Sequence, residues 1–212
     1  MAIRSGVTIF GGTLFFGKRL LGIRAAIAVG AIALVGASCT SPPAGPGGLQ
    51  APPTVDVWMV GDSLSYGTGF QMSTTPWLGS AGASGFTSSG QTVILDDVLA
   101  AISAYGAPDH VLVMAGVMDV AGGQTTLDIT TAMQAFEDSM TGQGVGVVWV
   151  AEPGYQYSGG LDLLADWINT KPLSVDCRSL AGPHKGDFVH PNSYVAMAGC
   201  VADAVTTLGI TW

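Results

Sequence analysis

The hydrophobic and polar positions of this chain fall into units that can be read one by one. Short apolar runs stand at Val55–Val60 (Val-Asp-Val-Trp-Met-Val), Val111–Ala115 and Val145–Ala151. Each is too short for a helix and rich in β-branched residues, so each predicts a buried strand. Between and after them apolar residues recur at helical spacing. They predict helices over roughly 91–105, 127–140, 161–168 and 192–208, with Pro191 placed to enter the first turn of the last. The uncharged, Gly/Ser/Thr-rich span from Ser63 to Leu95 predicts a short helix and loops, with one small strand near Leu78–Ala83. Strands separated by helices predict an α/β fold, a mostly parallel sheet with helices on both faces in a three-layer α/β/α sandwich. Such sheets hold their ligands beyond the carboxyl ends of the strands, so the residues just after each strand are the ones to inspect.

The amino-terminal segment follows a different pattern. Four of the seven basic residues (Arg4, Lys18, Arg19, Arg24) lie in the first 24 positions, and an uncharged apolar stretch of 14 residues, Ala25–Ser38, follows them. A basic region, a short apolar core and small residues before a cut point are the layout of a secretory signal, and 14 residues fall short of the ~20 that a spanning helix needs. Ala37-Ser38-Cys39 resembles a bacterial lipobox, although Gly36 stands where Leu or Val is usual. The resemblance implies lipid attachment at Cys39; ordinary secretion is the competing outcome. Residues 39–53, rich in Pro, Gly and Ser, read as a linker, which leaves 54–212 as the folded domain. The chain is thus expected outside the cytoplasm, in the cell envelope or secreted, with membrane contact only through that anchor.

Composition now changes meaning. A mean hydropathy of +0.46 with 10% charged residues would suit a membrane protein, but much of the apolar content sits in the leader and the strands. From Ala25 onward three basic residues face fifteen acids, a formal charge of −12. Such a body repels phosphate backbones, so nucleic acid is excluded as a partner. If Cys39 carries lipid, Cys177 and Cys200 remain as a pair that an oxidising compartment would let close into a disulfide; two buried free thiols are the alternative.

Candidate chemistry lies after the first strand and near the carboxyl end. Gly61-Asp62-Ser63-Leu64 follows the first apolar run, and taken alone it could be no more than an Asp-Ser helix cap. Gly186-Asp187-Phe188-Val189-His190-Pro191 places an acid and a histidine three residues apart. A serine hydroxyl becomes nucleophilic when an imidazole takes its proton, and the imidazole needs a carboxylate to fix its tautomer. These blocks resemble those of the SGNH (GDSL-type) hydrolases. The resemblance implies a flavodoxin-like sheet, with Ser63 as nucleophile, His190 as general base and Asp187 as its orienting acid. It also implies an oxyanion hole using the backbone N–H of Ser63 and of Gly85, the latter in Ser84-Gly85-Phe86-Thr87.

One block departs from the family. Where Gly-x-Asn-Asp is usual the chain has Gly116-Val117-Met118-Asp119, and the Met118 thioether cannot donate a hydrogen bond as the usual Asn does. Asp119 keeps the family position, where it would support the turn beside the pocket. His184, Asp187 and His190 could be imagined as metal ligands, but only three are present and two are already used, so no metal and no cofactor are expected. The expectation is an exported serine esterase acting on a small-molecule, glycan or lipid ester, with acyl transfer open to the same residues. The alternative is a catalytically impaired envelope protein that binds acylated glycan or lipid.

Overall fold

The computed structural model describes residues 56–72, 77–78, 84–87 and 92–211. The expected leader, Cys39 and the linker over 39–53 lie outside the described residues. In chain order the first elements are β1 (Val57–Gly61), α1 (Ser63–Met72), β2 (Trp77–Leu78), β3 (Ser84–Gly85), β4 (Thr92–Val93), α2 (Ile94–Tyr105) and β5 (His110–Met114). There follow α3 (Val117–Ala121), α4 (Thr126–Gly142), β6 (Gly146–Val150), α5 (Ser158–Ile168), β7 (Ser174–Val175) and α6 (Val195–Thr207).

Five strands form one parallel sheet in the order β2-β1-β5-β6-β7, and β3 pairs with β4 in a separate parallel ribbon. Counting only the strands of the main sheet, this is the 2-1-3-4-5 order of flavodoxin-like folds. The α/β class, the parallel sheet and its three long strands follow the expectation. Both faces of the sheet are covered, which is why β1 is buried along its whole length and reads as a continuous apolar run rather than an alternating one. α4 presents Ile129, Met133, Phe136 and Met140 on one buried stripe, packed toward β6, and Thr125 caps its start by accepting the Asp128 N–H at 3.2 Å. Phe136, Trp149, Phe86 and Trp167 meet edge to face or tilted, with successive centroids 5.4–6.3 Å apart, and form the aromatic part of the core.

Register positions the site. Val60 pairs with Val113 and Gly61 with Met114, so the segments leaving β1 and β5 emerge side by side. Gly61 makes this possible: its φ is +146°, and a Cβ there would lie 1.9 Å from the Met114 carbonyl oxygen. A disulfide joins Cys177, after β7, to Cys200 on α6. Among the described residues no helix is long and apolar enough to cross a membrane.

One expectation needs correcting. The last helix begins at Val195, not at Asn192, because Pro191 is taken into an antiparallel bridge with His184 and the Asn192 N–H donates to the Pro183 carbonyl. Pro191 therefore belongs to the loop and not to a first helical turn. The short helix expected after Asp62 is α1, ten residues long. β4 and β7, two residues each, form where no apolar run marks them.

Candidate active site

Chain direction reverses at Asp62, between β1 and α1. Asp62 is fully buried, its Oδ1 accepting the Leu64 N–H at 2.9 Å and its backbone oxygen accepting the Ser65 hydroxyl at 2.6 Å and the Tyr66 N–H at 3.1 Å. The acid thus caps the helix, and capping and chemistry coexist, because the next side chain points elsewhere. Ser63 donates its hydroxyl to His190 Nε2 at 2.8 Å, and His190 Nδ1 donates to Asp187 Oδ2 at 2.8 Å. The donor roles follow from the carboxylate, which can only accept and so fixes the proton on Nδ1.

The residues 187–190 fold so that one carboxylate serves both backbone and ring. Asp187 Oδ1 accepts the N–H groups of Val189 and His190, each at 3.0 Å, leaving Oδ2 for the imidazole. Partial burial works against its ionisation, but those two N–H groups and the imidazole outweigh it and hold the carboxyl down at about 2. Phe188 adopts a left-handed φ of +60°, uncommon for a bulky residue, and its carbonyl accepts the Gln156 N–H at 3.4 Å. His184 packs between the rings of Tyr155 and Phe188, with centroids 5.4 and 4.4 Å away, on the outer side of this loop.

The segments Ser84–Thr87 and Gly116–Asp119 are fastened to each other. Asp119 is buried, and its carboxylate accepts the Phe86 N–H at 2.9 Å, the Thr87 N–H at 2.8 Å and the Thr87 hydroxyl at 2.6 Å. That clasp holds the turn carrying Gly85 against α3, so tightly that a Cβ on Gly85 would lie 3.0 Å from both carboxylate oxygens. Met118 is partly buried against the core and brings no donor from its side chain.

One buried acid had not been singled out in the sequence. Glu152 follows β6, is 3% exposed, and accepts the Val117 N–H on Oε2 at 2.9 Å. Burial, then the neighbouring Asp62 charge, drive its carboxyl well above the usual range. Burial likewise pushes Asp62 up to about 6, against the pull of Glu152 and of the Leu64 N–H. The signal was available: an acid directly after the apolar run Val145–Ala151, at a strand's carboxyl end, is where a parallel sheet puts working residues.

Of the other sequence candidates, Cys39 lies outside the described residues, and Cys177 and Cys200 are joined to each other rather than free. Among the described residues no group of three or more His, Cys, Asp or Glu side chains is arranged to hold a metal ion. A separate cavity of about 590 Å³, lined by Tyr155, Arg178 and Gly182 among others, does not include Ser63. Its Arg178 is closed onto Asp162 and Asp176, each at 2.7 Å.

No family model and no curated protein matches the chain in sequence. Solved structures do match its fold. A GDSL-like lipase from Bacteroides thetaiotaomicron superposes with a TM-score of 0.52 at 16% identity, over 72% of this chain and 88% of that one. A psychrotrophic esterase from Pseudoalteromonas gives 0.53 at 15%, over 72% and 98%. A member of the lipolytic G-D-S-L family from Veillonella parvula gives 0.56 at 12%, over 71% and 97%. At these identities the likeness is one of fold. The chain has the three-layer α/β fold of the SGNH (GDSL-type) hydrolases, the architecture that the Gly-Asp-Ser-Leu and Asp-x-x-His blocks implied.

Proposed function

We propose that this protein is an exported serine esterase that cleaves carboxylic esters through an acyl-enzyme. The observation that carries the reading is the unbroken relay Ser63–His190–Asp187, with both links at 2.8 Å, on the fold of GDSL-type lipases and esterases. Ser63 Oγ attacks the ester carbonyl carbon while its proton passes to His190 Nε2, and Asp187 stabilises the imidazolium that forms. The oxyanion is received by the backbone N–H groups of Ser63 and Gly85. Collapse breaks the bond to the leaving alcohol, which takes the proton from His190, and a water activated by His190 then releases the acid. An acidic body favours neutral esters over phosphorylated ones, so an acyl or acetyl group on a glycan, lipid or small alcohol is the proposed substrate class. Export is supported by the leader pattern and by the disulfide, which persists in oxidising compartments. Anchoring through a lipid on Cys39 is part of the same proposal.

A second reading rests on Met118. Where an oxyanion donor has been removed from such sites, turnover has fallen by about 10²–10³. A chain without one could bind an acylated ligand and turn it over slowly or not at all. Short-chain aryl esters and a fluorophosphonate probe, offered to the protein and to Ser63→Ala, separate the two. Hydrolysis and labelling confined to the unaltered protein support the esterase. Equal labelling of both, with hydrolysis by neither, overturns it in favour of the binding protein.

A further inference from the structure

Asp62, which precedes the candidate nucleophile, and Glu152 are buried acids, and nothing in the reaction uses either. Their carboxyl groups come within hydrogen-bonding reach of each other. Each has one oxygen satisfied by a backbone donor, Asp62 Oδ1 by the Leu64 N–H and Glu152 Oε2 by the Val117 N–H, both at 2.9 Å. Each also has one oxygen, Asp62 Oδ2 and Glu152 Oε1, that no donor reaches. Two ionised carboxylates in contact and out of water would combine repulsion with two unmet acceptors, an arrangement no folded core sustains. One proton removes both problems, because a carboxylic acid donates to the carboxylate beside it.

We infer that Asp62 and Glu152 share a single proton, and that this bridge is a positioning device tying the Ser63 turn to the segment that follows β5. Asp62 holds the first turn of α1 at Leu64; Glu152, from the end of β6, holds Val117, next to Met118. The bridge therefore joins the carboxyl ends of β1, β5 and β6, and Asp119 extends the connection to the Gly85 turn. Three groups besides the pair itself act on it. His190 lies on the Ser63 side and favours the negative charge on Asp62; Asp119, on α3, opposes charge on Glu152; and the Tyr194 hydroxyl, just before α6, feels the charge of both acids and is itself pushed upward, by burial first. With no Asn at 118, the oxyanion site depends on backbone donors, and their spacing depends on this bridge.

The inference rests on the esterase reading for its kinetic consequences but not for the proton itself. Two measurements keep the failures apart. Infrared difference spectra of the unaltered protein against Glu152→Gln at neutral pH should show the carbonyl band of a protonated carboxylic acid that the variant lacks. Absence of that band overturns the shared proton whether or not the protein hydrolyses anything. With an ester substrate, Glu152→Gln supplies an amide N–H to Asp62 and an oxygen to Val117, so it should recover most of the kcat that Glu152→Ala loses, the loss being about tenfold or more. The unaltered protein should lose kcat at alkaline pH as the bridge ionises, and Glu152→Gln should not. If Gln and Ala behave alike, or if the alkaline limb survives in Glu152→Gln, the positioning role is refuted even though the esterase stands.

Discussion

The disulfide permits a quantitative test of how the loop carrying Asp187 and His190 is held. Cys177 and Cys200 are 23 positions apart, and Asp187 and His190 both lie inside the ring they close. Closing a ring of that length in the unfolded chain removes conformational freedom equivalent to about 3 kcal/mol at 25 °C. For a domain of this size, 1 kcal/mol moves the melting temperature by about 2–4 °C, so opening the ring should lower it by about 6–12 °C. The perturbation is the double variant Cys177→Ser, Cys200→Ser, followed by calorimetry without reductant. Adding reductant to the unaltered protein is the parallel arm and should reproduce most of the shift. The two 2.8 Å links of the triad are non-covalent and survive at 25 °C, so activity measured well below the melting point should fall much less than stability. A variant that melts within about 2 °C of the parent would refute the reasoning, because the ring would then not be constraining the unfolded chain.

Met118→Asn should raise kcat/KM on short-chain aryl esters by about 10- to 100-fold, since it restores a side-chain donor at the family position; no change would show that the site already has its full set of donors. Asp187 has its carboxyl held at about 2, below its ordinary 3.8. The stabilisation it provides is therefore complete above about pH 4 and is lost as pH falls toward 2. Because Asp187 is 38% exposed, the effect is screened to about 1 kcal/mol or less, read as the difference between the parent and Asp187→Asn in acid denaturation. Gly61→Ala puts a Cβ against the Met114 carbonyl at a φ of +146° and should cost about 3 kcal/mol or more in denaturant unfolding; a variant as stable as the parent would contradict the strand register.

The parts of the fold that sequence reveals are those with enough residues to show a period. The runs at Val111–Ala115 and Val145–Ala151 became β5 and β6, and the stripe over Leu161–Ile168 became the buried face of α5. β7 is two residues long, and a pair of residues has no period to detect. α1 is legible only as a short helix without clear bounds, because half of its residues are Ser, Gly or Thr and its buried positions do not segregate by polarity. Pro191 misled because proline at a helix entrance and proline in a loop bridge look alike until the partner, His184, is known. At the site, Ser63, Asp187 and His190 could be named because the chemistry dictates their types, and the structure brings those three together. Glu152 went unnoticed because its partner, Asp62, is 90 positions away and only the adjacency of β1, β5 and β6 joins them.

The hydrogen bond from Ser63 to His190 spans 127 positions of chain. During synthesis the serine emerges before β5, the strand that pairs along the whole of β1 and begins at His110. Its partner His190 follows 127 positions later, on the loop just ahead of α6. A nascent or truncated chain therefore carries a serine with no more reactivity than one in any loop. On the proposed reading, the hydroxyl becomes nucleophilic only when the loop carrying His190 reaches it, so esterase activity would report that residues 127 positions apart have been brought together.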